Sequence, residues 1–366
     1  MKFTTSREAL LRPLRLVTGV VERRQTLPVL ANLLVVARNG ALELTGTDLE
    51  VELKATLSDV QIEQEGEATI PARKLADIWR SLPDEAEVKV AVEGDRSIVR
   101  SGRSRFTLST LPAGDFPRVE GGPGDAEFVL GQDVLQKMLG QVSFSMAQQD
   151  VRYFLNGMLM EVDGDYIRCV ATDGHRLAMD TQPISASISN REQAIIPRKG
   201  VTELSRLLEG GEEATLILGK NHLSVRCGDY VLTTKLVDGQ FPDYEKVLPK
   251  DTNRTIVGDR NTLRHAFQRA SILSNEKYRG VRLIIESEQM TVRANNPDQE
   301  EAEEVVPVTF DGDDLEIGFN VSYLLDVLNV INAEAIHIGL SDMNNSALIE
   351  SPEAEGAAYV VMPMRL

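Results

Sequence analysis

At 366 residues the chain is long enough for two to four domains and too long for one continuous core. Hydrophobic residues at 42% fill several cores, and aromatics at 5% leave the packing to aliphatic side chains. The 39 Lys and Arg against 56 Asp and Glu give a formal charge of -17, which argues against attraction to nucleic acid or an anionic membrane unless the charge is unevenly placed.

In chain order, the first elements are a strand near Phe3 and a helix within residues 6–24, where Leu10, Leu11, Leu14, Val17, Val20 and Val21 recur on one face. Pro13 is expected in its first turns, where a missing N–H costs least. Short strands follow at 33–36, 41–44 and 51–53, divided by Asn39-Gly40 and polar turns. A second helix over 73–82 buries Leu75, Ile78, Trp79 and Leu82, and strands at 88–92, 97–100 and 105–109 complete a meander.

The same order then recurs. At a shift of 125, Phe3 falls on Phe128, Thr47-Asp48 on Thr172-Asp173, and Phe116-Pro117 on Phe241-Pro242. The final third is more divergent, with helical patterns after Asp259 and Asn320. Gly121-Gly122-Pro123-Gly124 and the stretch 249–255 read as linkers, so the expected domains are 1–124, 125–251 and 252–366. Each is an α+β unit with antiparallel sheet covering a helix pair. Edge strands of neighbouring units either pair into continuous sheets or stay apart, and periodicity does not choose between these.

The six expected helices, over 6–24, 71–81, 132–152, 197–208, 259–279 and 320–330, sum to +9, so the remainder carries -26. Helices on one surface and sheets on the other would attract phosphate on one side and repel it on the other, although charged helix faces also simply solvate a fold. Zinc-finger spacing, a basic segment feeding heptads and RNP-like aromatics are all absent, which points away from base reading. Phosphate contacts need only donors and positive charge and carry little sequence information. His175 beside Asp173 and Cys169 lacks catalytic or metal spacing, so neither a hydrolase nor a metal site is expected. Cys169 and Cys227 alone make no disulfide framework, no apolar signal core opens the chain, and no run approaches a membrane span, so a cytoplasmic location is expected.

The runs Leu44-Thr45-Gly46-Thr47-Asp48-Leu49-Glu50, Arg100-Ser101-Gly102-Arg103-Ser104-Arg105-Phe106, Ala171-Thr172-Asp173-Gly174-His175-Arg176-Leu177 and Lys235-Leu236-Val237-Asp238-Gly239 resemble those of the bacterial replicative DNA sliding clamps, the beta subunits of DNA polymerase III. So do residues 273–280 and the terminal Tyr359-Val360-Val361-Met362-Pro363-Met364-Arg365-Leu366, and the resemblance covers the whole chain. It implies three clamp domains per chain and two chains in a six-domain ring, with helices inside and antiparallel sheets outside. Such a ring encircles duplex DNA without sequence specificity, is noncatalytic, needs no cofactor and lends processivity to the polymerase. A nonencircling DNA-binding scaffold is the alternative. The implied partners are an identical subunit, the polymerase III alpha subunit, an ATP-dependent clamp loader, and other polymerases and repair proteins carrying clamp-binding peptides. No membrane is involved, and the protein is expected at the nucleoid and replication fork.

The resemblance assigns DNA contacts to Arg24, Gln149, Arg152, Tyr153 and Phe154, with Arg198 and Lys199 as further candidates. Phe154 stands where many relatives carry tyrosine, which keeps the ring and removes a hydroxyl. A peptide pocket is implied at Leu155, Thr172, Gly174, His175, Arg176, Leu177, Pro242, Lys246, Val247, Val360, Met362, Pro363 and Met364, with Lys246 replacing a frequent arginine. Across the subunit boundary, Phe106 and Leu108 are expected to meet Ile272 and Leu273. Lys74, Arg96, Arg103 and Arg105 are expected to face Asp298, Glu300, Glu301, Glu303 and Glu304.

Overall fold

The computed structural model describes residues 1–22, 27–119, 124, 126–185, 191–250 and 252–365. Among them are six α-helices: α1 (Arg7–Val20), α2 (Ala72–Ser81), α3 (Gln132–Val142), α4 (Arg198–Leu207), α5 (Arg260–Ser271) and α6 (Val321–Val330). Local chemistry fixes several starts. Ser6 Oγ accepts the Ala9 N–H at 3.1 Å ahead of α1, Asp259 Oδ1 accepts Thr262 N–H at 2.7 Å ahead of α5, and Asn320 Oδ1 accepts Ser322 N–H at 2.9 Å ahead of α6. Pro13 lies in the helix interior and not in its opening turn, so one carbonyl of the preceding turn loses its helical partner. Its ring is buried with Leu10, Leu14 and Val17, which gives it a packing role.

The third helix is shorter than the expected 132–152. It ends at Val142, and a 3-10 turn over Ser143–Ser145 follows. Strands Gln61–Gln64 and Gly66–Pro71 were not anticipated, the first being polar apart from Ile62 and so lacking an apolar alternation. The linker at 121–124 lies outside the described residues apart from Gly124.

The chain divides into two compact units. The first comprises Met1–Gln136 and Lys199–Leu236. It holds a five-stranded antiparallel sheet in the order Gln61–Gln64, Lys2–Ser6, Glu87–Glu93, Arg96–Ser101, Ser104–Ser109. It also holds an eight-stranded sheet in the order Ala126–Gly131, Glu213–Leu218, His222–Cys227, Tyr230–Lys235, Val51–Leu57, Ala41–Thr47, Asn32–Arg38, Gly66–Pro71. The second unit is built mainly from Lys137–Ser185 and Val237–Leu366. Its nine-stranded sheet runs Glu192–Pro197, Gly157–Val162, Tyr166–Thr172, Arg176–Pro183, Ala357–Val361, Ala347–Glu350, Ala335–Leu340, Arg254–Asp259, Thr309–Asp311. Its four-stranded sheet runs Glu301–Pro307, Gln289–Asn295, Gly280–Ile285, Leu315–Asn320.

Two of these sheets therefore cross repeat boundaries, which resolves the choice the sequence left open. Val51–Leu57 of the first repeat pairs with Tyr230–Lys235 of the second, Leu53 opposite Leu232. Arg176–Pro183 of the second pairs with Ala357–Val361 of the third, Leu177 opposite Val360. Each joint satisfies backbone groups that an open edge would expose.

Within the first unit α1 packs on α2 and on the strands Ala41–Thr47 and Val51–Leu57. Trp79 is fully buried there. The approach is close enough that a Cβ on Gly46 would lie 2.6 Å from the Val17 carbonyl oxygen, so the glycine lets helix and strand touch. Within the second unit α5 packs on α6, burying Phe267 and Leu324.

Candidate functional site

The strands Gly157–Val162, Tyr166–Thr172, Arg176–Pro183 and Glu192–Pro197 are adjacent, and alternation along each places Leu159, Val170, Leu177 and Ile195 on one face. These four gather with Phe241, Tyr244 and Val360 into one buried apolar cluster, and Phe154, Met179, Val237, Val247, Leu248 and Leu348 pack around it partly exposed. Three residues expected at the peptide pocket, Leu177, Val247 and Val360, thus share one cluster, together with Phe154, which was expected at the DNA. The alternation of apolar residues on these strands was the signal for Leu159, Val170, Met179 and Ile195, which the sequence reading did not name. Leu155 is buried, and Pro242, Lys246 and Met362 are exposed. Met362 N–H donates to the His175 carbonyl at 2.9 Å and Met364 N–H to the Gly318 carbonyl at 2.9 Å, so the terminal segment leaves its strand along a fixed path past Pro363.

The Thr-Asp-Gly-His-Arg turn at the rim is held by its own side chains. Thr172 Oγ1 accepts Gly174 N–H at 3.1 Å and donates to the Arg176 carbonyl at 2.6 Å, and Asp173 Oδ1 accepts His175 N–H at 2.9 Å. Gly174 has φ +89°, a region that favours glycine. Arg176 is committed internally: it pairs with Asp173 at 3.1 Å and with Asp326, and donates to the Phe144 carbonyl at 2.9 Å. Its guanidinium lies 4.5 Å from the Tyr323 ring centroid, and the His175 ring stacks on the same tyrosine at 6.4 Å. Arg176 therefore ties the turn to α6. Lys246 pairs with Asp243 at 2.8 Å, and both partners are largely solvated.

Beside the cluster, on the same strand face, lies a buried charge. The fully buried Glu161 accepts hydrogen bonds from Tyr166 Oη and Tyr244 Oη, each at 3.0 Å, from Gln193 Nε2 at 2.6 Å and from Arg191. Arg168 stands 3.7 Å away and donates to Tyr244 Oη at 2.9 Å and Thr181 Oγ1 at 2.8 Å. Burial alone would raise the Glu161 carboxyl, but these donors outweigh it and hold the group below the usual carboxylate range.

A loop with Gln149 at φ +56° precedes the cluster. Arg152 donates to both Asp150 oxygens, at 3.0 and 2.9 Å, and its side chain and backbone hold the Asp150 carboxyl down at about 2. Val151 is 95% exposed and Tyr153 57%. Arg198 donates to the Met146 and Ala147 carbonyls at 2.6 and 3.0 Å, while Lys199 binds the Val20 carbonyl at 2.8 Å, Glu22 at 3.0 Å and Asp48. Both of those cations anchor backbone. Arg24 lies outside the described residues.

The six observed helices carry 13 basic and five acidic side chains, a net +8, which leaves -25 in the rest of a chain of charge -17. The charge split thus persists with corrected helix bounds. Arg15, Arg73 and Lys137 are exposed on these helices and form no ion pair among the described residues. The site reading omitted them because helix charge alone does not say which cations are already paired.

At the far ends of the two smaller sheets lie Ser104–Ser109 in the first unit and Glu301–Pro307 in the second. On the former, Arg105 is exposed, Phe106 half-buried and Leu108 buried; Arg103 in the turn before it, Arg96 on the adjoining strand and Lys74 on α2 are exposed. In the second unit Ile272 is 75% exposed and Leu273 half-buried. Asp298, Glu300, Glu301 and Glu303 are exposed, with Glu303 paired to Arg293 at 2.6 Å and the half-buried Glu304 to Arg269 at 2.6 Å. Each group thus includes exposed residues on its own unit.

Among the described residues no group of three or more His, Cys, Asp and Glu is arranged to hold a metal, and no helix is long and apolar enough to cross a membrane. Cys169 and Cys227 are both free and buried.

Three family models match in tandem: the N-terminal domain of the DNA polymerase III beta subunit over residues 1–120, its central domain over 129–243 and its C-terminal domain over 245–365. The beta sliding clamp of Escherichia coli is 52% identical over 367 residues, covering all of both chains. The crystal structure of the Pseudomonas aeruginosa DNA polymerase III subunit beta superposes with a TM-score of 0.97 at 55% identity, again over both full chains. The Caulobacter crescentus polymerase III beta structure gives 0.94 at 36%. Three matched domains, full-length identity above half and a coincident backbone make the chain a member of the bacterial DNA polymerase III beta subunit family, the beta sliding clamps.

Proposed function

We propose that two copies of this chain close head to tail into a ring around duplex DNA and tether the replicative polymerase to it. The ring performs no covalent step of its own. Family membership supports this reading, and one observation carries it further: both joints between repeats use equivalent strands, and each chain holds one further copy of both halves of that joint. The ladders align Tyr230–Lys235 with Ser104–Ser109, since Arg226 opposite Val231 matches Arg100 opposite Arg105. They align Val51–Leu57 and Arg176–Pro183 with Glu301–Pro307, since Gly46 opposite Leu53 and Ala171 opposite Ala178 match Ala294 opposite Ala302.

Carrying the first joint's register, Lys54 opposite Val231, onto these edges places Arg105 of one chain opposite Glu303 of the other. Phe106 then faces Ala302, and Thr107 faces Glu301. Arg103 and Arg105 meet the acidic strand, and Ile272 and Leu273 supply an apolar patch beside it. Opposite charges at such a seam favour the correct register and suppress like-with-like pairing. Domains at 1–124, 125–251 and 252–366 give three repeats per chain and six per ring.

The basic helices line the channel in this reading, with Arg15, Arg73 and Lys137 joining Arg24, Gln149, Arg152, Tyr153 and Phe154 as phosphate-facing groups. Arg198 and Lys199 act through the backbone they anchor. Contacts of this kind exchange freely, and enclosure supplies retention. The apolar groove at Leu177, Val247 and Val360 docks short linear peptides of the polymerase alpha subunit, the clamp loader and repair proteins. Opening requires an ATP-driven loader, since the chain carries no Gly-x-x-x-x-Gly-Lys-Ser/Thr phosphate loop. The ring works in the cytoplasm at the nucleoid.

Retention after loading tests the reading. On a sealed circular duplex the protein remains bound for many minutes, and cutting the same circle once releases it within seconds. Equal loss from both molecules would support the nonencircling scaffold.

A further inference from the structure

The strand face under the peptide groove has a counterpart in every repeat, aligned residue by residue through the ladders. Leu159 opposite Val170 in the central repeat corresponds to Leu34 opposite Thr45 in the N-terminal one and to Arg282 opposite Arg293 in the C-terminal one. The central pair is apolar on both strands, the N-terminal pair on one strand and the C-terminal pair on neither.

A second difference sits one step along the same face. Glu161, opposite Arg168, corresponds to Val36 opposite Glu43 and to Ile284 opposite Thr291. Tyr244 follows Phe241 by three residues, just as Val119 follows Phe116. In the N-terminal repeat, where Val36 and Val119 replace the carboxylate and the phenol, this space is a groove of about 470 Å3 lined by Val36, Glu43, Glu67 and Val119 among others. In the central repeat Tyr244 and Glu161 are both buried, and the phenol sits at the middle of the polar cluster. Tyr244 Oη donates to Glu161 and accepts from Arg168 at 2.9 Å and Arg191 at 3.2 Å. The segment that carries Tyr244 has few bonds of its own: Lys246 N–H reaches the Asp243 carbonyl at 3.3 Å and Val247 N–H the Tyr244 carbonyl at 3.0 Å.

We propose that Glu161 is a positioning residue for peptide docking, fixing Tyr244 and through it the wall of the groove formed by Pro242, Lys246 and Val247. The inference rests on the reading of that groove as a peptide site. A carboxylate suits the task because charge-assisted bonds to several donors hold one geometry, and its removal leaves the half-buried Arg168 and the more exposed Arg191 short of a partner. If the wall leaves its docked position, the apparent affinity for any peptide falls by the fraction of protein that keeps the wall in place.

The test uses full-length protein with Glu161→Gln, which keeps the shape and removes the charge, and Tyr244→Phe, which keeps the ring and removes the hydroxyl. Each is titrated with purified DNA polymerase III alpha subunit from the same organism, while hydrogen exchange is followed at the Lys246 and Val247 amides. Each change weakens binding by about tenfold and speeds exchange at those two amides by a similar factor, with the strand Gly157–Val162 unaffected. The double variant is no weaker than the worse single, because both act through one contact. Affinity within twofold of the original in both variants overturns the proposal. So does an affinity loss accompanied by equal loosening of Gly157–Val162, which marks general damage. Failure of the unaltered protein to bind the alpha subunit instead defeats the peptide-site reading, and the positioning role falls with it.

Discussion

Asp180 stands opposite Cys169 on neighbouring strands, with no water-accessible surface. Burial pushes its carboxyl above the ordinary range, against the opposing pull of a 2.8 Å bond from Gln182 Nε2 and of Lys137. A raised acid binds its proton more tightly folded than unfolded, so stability falls as pH climbs from the ordinary carboxylate pKa through the raised folded one. Asp180→Asn removes that loss. Urea unfolding midpoints of the two proteins should lie close together near about pH 4, with the asparagine variant ahead by about pH 7. A pH-independent gap would show that ionisation at this position costs the fold nothing. The residue also illustrates what local sequence hides: Asp180 reads as an ordinary polar strand position, and its strand is flanked on both sides, by Tyr166–Thr172 and by the distant Ala357–Val361.

Helices and strands were legible where periodicity was strong. Leu75, Trp79 and Leu82 are buried as their spacing requires, with Ile78 half-buried, and Phe3, Phe128 and the Thr-Asp turns kept one register through two repeats. The mostly polar strand Gln61–Gln64 and the early end of α3 were not legible, because tertiary pairing decides them: Ile62 lies opposite Phe3, Ala147 N–H bonds to the Leu155 carbonyl, and Arg198 donates to the Met146 carbonyl. The strand joints were equally hidden. A pattern of alternating residues shows that an edge exists but not which distant strand covers it. At this scale the exposed Ile272, directly after α5, is the most economical probe of the proposed seam. Ile272→Asp removes about 2 kcal/mol of apolar burial and should raise the dimer dissociation constant roughly 30-fold or more by sedimentation, leaving the unfolding midpoint nearly unchanged. A dimer equally resistant to dilution would place the seam elsewhere.

For the whole molecule, the family and its three repeats were legible through ordered motifs spread across the chain, and the charge split survived correction of the helix bounds. The apolar cluster was half legible: the resemblance named Leu177, Val247 and Val360, but the buried Glu161 beside them emerged only from the fold. Enclosure makes a distinctive demand on salt dependence. Binding to short linear duplex should fall steeply with added salt as phosphate contacts are lost, while the lifetime on a sealed circle should change several-fold less. Parallel salt dependence on both substrates would mean that contacts, not topology, hold the DNA.

Covalent closure of the ring reaches the central claim most directly. In the proposed seam, the register carried over from Val51–Leu57 and Tyr230–Lys235 would set Thr107 of one chain opposite Glu301 of its partner, within disulfide reach for directly opposed strand residues. A protein bearing Thr107→Cys and Glu301→Cys, loaded on a sealed circle and then oxidised, should stay linked to the DNA through denaturing detergent and come free when the circle is cut. Efficient disulfide formation with the DNA still released by detergent from the sealed circle would contradict enclosure.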